Sequence, residues 1–91
     1  MRYEWDENKN ALNTAKHEIG FDAMRGFDWS AAITGIDDRE DYGELRETAI
    51  GFIGVALYYV IFVVQDGDAV RIVSLRPANR AEARHYAKER G

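Results

Sequence analysis

The chain has 91 residues and no cysteine, and 31% of its side chains are charged while 46% are hydrophobic. This length allows one modest hydrophobic core, so we expect residues 1–91 to form a single domain. The absence of cysteine excludes a disulfide framework and a metal site built from thiolates. The longest apolar run, residues 55–64, is too short for a transmembrane helix, and the amino terminus lacks a secretory pattern. We therefore expect a cytoplasmic protein without a membrane partner.

Charge is distributed unevenly along the chain, whose net charge is −4. Residues 21–45 contain two basic and seven acidic residues, a net charge of −5, whereas residues 71–91 contain six basic and two acidic residues, a net charge of +4. An acidic chain repels phosphate at long range and is a poor non-specific nucleic-acid binder. A small basic site remains compatible with this composition.

The amino-terminal part of the sequence predicts two helices. Asp6 is a suitable N-cap for a first helix over residues 7–19, which Gly20 would end. A short second helix is predicted over residues 21–27, and its apolar face would pack on a sheet. In the first helix, the side chains expected to pack are Ala11, Leu12, Ala15 and Ile19. A neighbouring stripe, free to bind a ligand, consists of Lys9, Asn13, Lys16 and His17.

The middle of the sequence predicts antiparallel strands. Gly54 and the turn from Asp66 to Asp68 separate segments rich in β-branched and aromatic side chains. The segment between these turns is apolar on both faces, which is typical of a central strand covered on both sides. The predicted strands are residues 31–36, 45–53, 55–65 and 69–76, with a charged loop at residues 37–44.

A final helix is predicted over residues 80–89. Pro77 cannot continue a central strand, and Asn79 followed three residues later by Glu82 has the spacing of a capping box. Helices at both ends of a run of strands predict an α+β fold with a small antiparallel sheet.

The candidate functional residues are mostly basic. The sequence has no phosphate-binding glycine loop, no dinucleotide fingerprint and no histidine pair at metal-ligand spacing, so we expect no cofactor and no metal. Guanidinium and ammonium groups neutralise phosphate, and histidine transfers protons near neutral pH. These groups suit binding of a phosphodiester without a metal. The candidates are Lys9, Lys16, His17, Arg46, Arg71, Ser74, Arg76 and Arg80.

Two sets of residues resemble the BrnT toxin family. The first set, similar to the family's WD, K, N, KH and F pattern, is Tyr3 to Asp6, Lys9, Asn13, Lys16, His17 and Phe21. The second set is Arg46, Ile50, Gly51, Val63, Val64, Arg71 to Arg76, Ala78, Glu82 and Tyr86. The chain departs from the family pattern at Leu75, where alanine is usual, at Pro77 and in the acidic loop 37–44.

The resemblance implies a RelE-like fold, ribonuclease activity in a type II toxin-antitoxin system, and inhibition by a ribbon-helix-helix antitoxin similar to BrnA. The substrate would be RNA, cleaved when a ribose 2′-hydroxyl attacks the adjacent phosphate. Operator DNA would be contacted only through the antitoxin, and we expect two toxins around an antitoxin dimer. On this interpretation the catalytic residues are His17, Arg46 and Arg76, and the RNA-binding residues are Lys9, Lys16, Ser74 and Arg80. A non-catalytic module that binds the antitoxin and assists repression is the alternative.

Several candidates also have a purely structural interpretation. A histidine at a helix C-terminus, such as His17, interacts favourably with the helix dipole, and lysines such as Lys9 and Lys16 commonly form a solvated face. An ion pair with Glu44 or Glu47 is the alternative for Arg46. These alternatives stay open at the level of sequence.

Regular strand alternation separates two of the arginines. Arg71 and Arg76 are five residues apart, so without a bulge they point to opposite faces of the sheet. We assign Arg76, on the same face as Ser74, to phosphate, and Arg71 to an ion pair or a partner contact.

For Tyr86 we expect core packing with a hydrogen-bonded hydroxyl. The aromatic residues expected in the core are Trp5, Trp29, Tyr58, Tyr59 and Phe62.

Overall fold

The computed structural model describes all 91 residues as a five-stranded sheet with two α-helices, which confirms the predicted α+β class. The strands are β1 (Arg2–Trp5), β2 (Ile33–Asp37), β3 (Arg46–Ile53), β4 (Ala56–Val64) and β5 (Ala69–Pro77). The helices are α1 (Glu7–His17) and α2 (Arg80–Arg90). Two 3₁₀ helices cover Phe21–Gly26 and Trp29–Ala31. Neither α-helix has the length and apolar character needed to cross a membrane.

The strand order is β1-β5-β4-β3-β2. Neighbours from β2 to β5 are antiparallel and β4 lies in the centre, as predicted. Strand β1, which the sequence did not predict, pairs in parallel with β5 at one edge. Strand β1 has only four residues, whose side chains alternate between exposed and half-buried. A pattern this short does not distinguish a strand from an irregular terminal segment in the sequence.

One face of the sheet, here called the core face, carries the hydrophobic core. From β4 and β5 it presents Val60, Ile72 and Leu75, none of them more than 1% exposed. Phe21 and Met24 pack on this face and are fully buried. The predicted second helix therefore does cover the sheet, as a 3₁₀ helix rather than an α-helix.

Helix α1 lies beside the free edge of β5, just beyond the point where β1 ends. Asp6 caps its amino terminus as predicted, by accepting hydrogen bonds from the backbone of Asn8 and Lys9. Asn13, 8% exposed, accepts a hydrogen bond from the Leu75 amide and donates one to the Leu75 carbonyl. One amide side chain thus replaces the strand partner that β5 lacks at this position.

The predicted packing face of α1 was wrong. Leu12 is 71% exposed, and Ala11 and Ala15 are exposed as well. Only Ile19, beyond the end of the helix, packs against the core. The helix meets the polar edge of a strand rather than an apolar surface, so an asparagine side chain is better suited to the contact than leucine.

A β-bulge in β5 changes which side chains share a face. Ser74 pairs with Ile61 and Ile72 pairs with Phe62, so Val73 is an extra residue without a partner on β4. The regular alternation that would have placed Arg71 and Arg76 on opposite faces is therefore broken, because the extra residue gives both arginines the same side-chain direction. The face opposite the core, here called the charged face, carries Arg46, Arg71, Ser74 and Arg76.

Helix α2 covers one end of the charged face. Asn79 and Glu82 form the predicted capping box at its amino terminus. The Tyr86 hydroxyl donates a hydrogen bond to the Ala31 carbonyl at 2.8 Å, as predicted, but its half-buried ring packs edge-on against Phe52 on the charged face rather than in the core. The other end of the charged face is left for the clefts described below.

Candidate functional site

Two adjoining clefts lie between α1 and the charged face of the sheet. The first, of about 210 Å³, is lined by Asp6, Lys9, Glu44, Arg46, Arg71 and Ile72. The second, of about 230 Å³, is lined by Lys9, Leu12, Asn13, Lys16, His17, Val73 and Ser74. Because Lys9 lines both, we treat them as one feature and call it the basic groove.

The basic groove brings together most of the predicted site residues. Those that line it are Lys9, Lys16, His17, Arg46 and Ser74. It also contains Arg71, which regular strand alternation would have placed on the face opposite to Arg76 and Ser74. Two predicted site residues, Arg76 and Arg80, line neither cleft.

Helix α1 supplies one wall because Asn13 fixes its rotation. Lys9 lies four residues before Asn13 and His17 four residues after it, so all three project from one side of the helix. With Asn13 bonded to Leu75, the turns before and after it flank β5. His17, half-buried at the end of α1, therefore lies beside the bulge residues Val73 and Ser74.

Strands β3 and β5 supply the opposite wall. Arg71 Nη2 donates to Glu44 Oε2 at 2.6 Å, and Arg46 Nε donates to the same oxygen at 3.3 Å. The Arg46 side chain is 20% exposed, and its guanidinium lies 4.0 Å from the centre of the Tyr42 ring. The hydrogen bond from Arg71 is the main reason why the pKa of Glu44 lies below its ordinary value, so this carboxylate is ionised at neutral pH. The sequence expectation of ion pairs for Arg46 and Arg71 is met by this one carboxylate.

Arg76 is on the same face but has a different environment. Its guanidinium donates two hydrogen bonds to the Glu82 carboxylate, at 2.8 and 2.7 Å, and lies 4.4 Å from the centre of the Tyr59 ring. Burial is the largest single influence on the pKa of Glu82 and raises it, but the hydrogen bonds from Arg76 and from the Asn79 amide, together with the charge of Arg76, bring the pKa below its ordinary value. Tyr59 was expected in the core; it lies instead on the charged face. The other four aromatic residues named with it pack in or against the core.

The largest cleft in the molecule is elsewhere. It has a volume of about 390 Å³ and lies between α2 and the sheet, with Thr48, Tyr59, Glu82 and His85 among its lining residues. None of the predicted site residues lines it. We consider the basic groove the better candidate because its cationic side chains and histidine converge there, whereas volume alone carries no chemistry.

The groove has the composition of an anion-binding site. Lys9, Arg46 and Arg71 line the first cleft against two acidic residues, Asp6 and Glu44. Of these two, Asp6 already accepts hydrogen bonds as the cap of α1. In the adjoining cleft, His17 and Ser74 supply groups that donate and accept hydrogen bonds. The chain has no group of three or more His, Cys, Asp or Glu side chains arranged to hold a metal ion.

Known proteins resemble this chain in both sequence and fold. Residues 5–82 match the model of a family described as "Ribonuclease toxin, BrnT, of type II toxin-antitoxin system". The fold is similar to the crystal structure of the Brucella abortus ribonuclease toxin, BrnT, with a TM-score of 0.66 and 29% sequence identity. That match covers 88% of this chain and 99% of the Brucella chain. No curated protein sequence matches the chain.

Proposed function

The chain belongs to the BrnT family of ribonuclease toxins of type II toxin-antitoxin systems, and from this membership we propose that it is a metal-independent endoribonuclease that cleaves RNA in the basic groove. The observation that carries the proposal is the bulge at Val73. It turns Arg71 and Ser74 towards the same face as Arg46, next to the α1 side chains Lys9 and His17.

In the proposed reaction the substrate supplies its own nucleophile. The ribose 2′-oxygen forms a bond to the adjacent phosphorus while the bond from phosphorus to the 5′-oxygen breaks. The proton leaves the 2′-hydroxyl and another reaches the departing 5′-oxygen, which gives a 2′,3′-cyclic phosphate and a 5′-hydroxyl end. We assign one of these two proton transfers to His17, because a positioned imidazole serves as acid or base near neutral pH, and the other to solvent water, since the 2′-oxygen and the 5′-oxygen lie on opposite sides of phosphorus. Arg46 stabilises the charge that develops on the phosphoryl oxygens.

The remaining predicted residues are assigned to RNA binding or to a second electrostatic role. Lys9 and Ser74 line the groove and would hold the substrate backbone, and Lys16 would extend that contact. Arg80 is exposed at the first residue of α2 and would bind a phosphate outside the groove. Arg76 would assist catalysis only after exchanging the Glu82 carboxylate for a phosphate.

Type II toxins act with an antitoxin, and we propose that this partner is a cytoplasmic ribbon-helix-helix protein that covers the basic groove. The acidic net charge of the chain and its basic residues 71–91 support a partner with charges of both signs. Two toxins around one antitoxin dimer is the expected assembly, because a symmetric dimer offers two equivalent binding sites. Co-expression with the neighbouring gene, followed by light scattering and operator binding, tests this partner.

The enzymatic proposal is tested with purified protein and single-stranded RNA in EDTA. We expect cleavage that leaves 2′,3′-cyclic phosphate or 3′-phosphate ends. A matched RNA with a 2′-deoxy nucleotide at the cleavage position is expected to remain intact there, because it lacks the attacking hydroxyl. Cleavage that requires a divalent metal, or that persists at the 2′-deoxy position, would contradict the mechanism.

A non-catalytic role is the second candidate, and one observation favours it. Arg46, Arg71 and Arg76 are all paired with carboxylates of the same chain. A chain of this kind would bind the antitoxin and strengthen its hold on operator DNA without cleaving RNA. Folded protein that is inactive on RNA but tightens operator binding by the antitoxin would support this second function.

A further inference from the structure

Glu44 occupies an unusual position in the basic groove. It lies in the acidic loop where the sequence departs from the family pattern, yet its carboxylate points into the groove between the two arginines of the sheet. Both arginines donate to the same oxygen, Oε2. The Glu44 side chain is only 29% exposed.

We propose that the Glu44 carboxylate fills the phosphate-binding position between Arg46 and Arg71 in the free protein, so that RNA binds by displacing it. The inference rests on the proposed function for the identity of the ligand and adds a residue that sets the affinity of the site. Carboxylates and phosphates present similar oxygen acceptors to guanidinium groups, so either anion satisfies the same pair of arginines.

Arg46 keeps partial support without Glu44. The Arg46 guanidinium stacks on the Tyr42 ring at 4.0 Å from its centre, and the Tyr42 hydroxyl donates to Asp37 at 3.2 Å. Asp37 is 6% exposed and is also bonded to Arg39, which anchors this part of the loop. Departure of Glu44 therefore leaves Arg46 in place to receive a phosphate.

The residues on either side of Glu44 do little to hold it in place. Leu45, the next residue, is 61% exposed, and Gly43, the residue before it, is exposed and has a left-handed φ of 72°. Little packing of these two residues has to change when Glu44 moves. Its two partly exposed ion pairs are the main contacts that an incoming phosphate replaces.

The test compares Glu44→Gln with Glu40→Gln. Both changes remove one negative charge from the same loop, but Glu40 is exposed and makes no ion pair or side-chain hydrogen bond, so it controls for net charge. Binding is measured with a 2′-deoxy oligonucleotide, which is not cleaved, and kcat and KM are measured with RNA of the same sequence. Glu44→Ala serves as a second variant if the glutamine side chain perturbs the loop.

We expect Glu44→Gln and Glu44→Ala to bind the 2′-deoxy oligonucleotide about 3- to 10-fold more tightly than wild type, the range set by partly exposed ion pairs. The KM for RNA falls by a similar factor with kcat little changed, and Glu40→Gln shows a clearly smaller effect. Tighter oligonucleotide binding without any cleavage by wild type or variants supports the displaced carboxylate while contradicting the proposed ribonuclease activity.

Other results overturn the inference. Equal effects of the Glu40 and Glu44 variants would show that net charge alone controls binding. A fall in kcat with unchanged oligonucleotide binding would make Glu44 a participant in the reaction rather than a competitor for phosphate. If both Glu44 variants unfold, wild-type protein is titrated with inorganic phosphate while the Nε–H signals of Arg46 and Arg71 are followed by NMR. Absence of any shift in these signals would then exclude an exchangeable anion between the arginines.

Discussion

The two faces of the sheet are made from the same strands, and β5 presents apolar side chains on one face and polar or charged ones on the other. On the core face, Val60 and Leu75 are fully buried and pack beneath Phe21. On the charged face, Arg71 and Arg76 are about a third exposed and each is paired with a carboxylate. In β5 the direction of a side chain therefore decides what its loss should change: stability on the core face and, on our proposal, RNA binding on the charged face.

Leu75 and Ser74, adjacent residues that face opposite sides, provide the strongest test of this difference. Leu75→Ala is expected to lower the free energy of unfolding by about 2–5 kcal/mol, because it leaves a cavity in the core. Ser74→Ala is expected to change it by less than about 1 kcal/mol. Urea unfolding measures both values. Similar losses for the two variants would mean that the faces do not divide stability from binding as we describe.

Arg46 and His17 test the other side of the comparison. We expect Arg46→Ala and His17→Ala each to lower RNA turnover by about 10²-fold or more, because they remove charge stabilisation and proton transfer. Thermal stability should change little, since neither side chain belongs to the core. The RNA turnover of Arg76→Ala is measured in the same assay. A fall in turnover would indicate that Arg76 exchanges Glu82 for a phosphate during the reaction, and unchanged turnover would indicate that it does not.

Arg2→Ala is the matched control for the arginine variants, because Arg2 is an exposed arginine of the sheet that lies outside the groove. Loss of the near-ultraviolet dichroism of Arg46→Ala or Arg76→Ala would assign that arginine to folding instead. Unchanged activity of His17→Ala, with a stability loss above about 3 kcal/mol, would do the same for His17.

Asn13 joins the two regions, because it holds α1 against the end of β5. Asn13→Ala leaves the Leu75 amide and carbonyl without their side-chain partner, so we expect a loss of about 1–3 kcal/mol in the free energy of unfolding. Since Asn13 also sets the rotation of α1, RNA cleavage should fall as well. Asn8→Ala, an exposed change on the same helix, should alter neither property.

The smallest expected effect concerns the pH dependence of the Arg76–Glu82 ion pair. The folded-state pKa of Glu82 is lowered, so this pair stabilises the protein above the ordinary glutamate pKa and the contribution is lost as pH falls through the folded value. We expect about 1 kcal/mol less loss of stability between about pH 5 and 3 in Glu82→Gln than in wild type. Glu89→Gln, an exposed change on α2, should keep the wild-type profile. An identical profile for Glu82→Gln would show that the pair contributes no net stability.

The sequence predicted the elements that carry a strong local signal. Strand alternation, turn residues and the capping signals at Asp6 and Asn79 placed most element boundaries within two residues. It did not predict the side of α1 that packs, because the contact is to the polar edge of a distant strand. Long-range pairing of this kind leaves no periodic pattern in the helix itself.

The composition of the groove was only partly predictable. The bulge left a local signal, since two residues rather than one separate the buried Ile72 and Leu75. That spacing alone does not say which residue is extra, and so the direction of Arg71 depended on the pairing with β4. The bridging position of Glu44 depended on the path of an irregular loop, and the sequence of such a loop contains no repeating pattern from which its path could be predicted.

The parallel pairing of β1 with β5 has a consequence for synthesis of the chain. Arg2 pairs with Ala69, and Asn13 bonds to Leu75, a sequence separation of 62 residues. Helix α1 and strand β5, which flank the basic groove, are therefore synthesised far apart in time, and they meet only after β5 has left the ribosome. A chain synthesised only as far as β4 lacks the groove, so the surface that we propose for RNA binding forms only once β5 has folded beside α1.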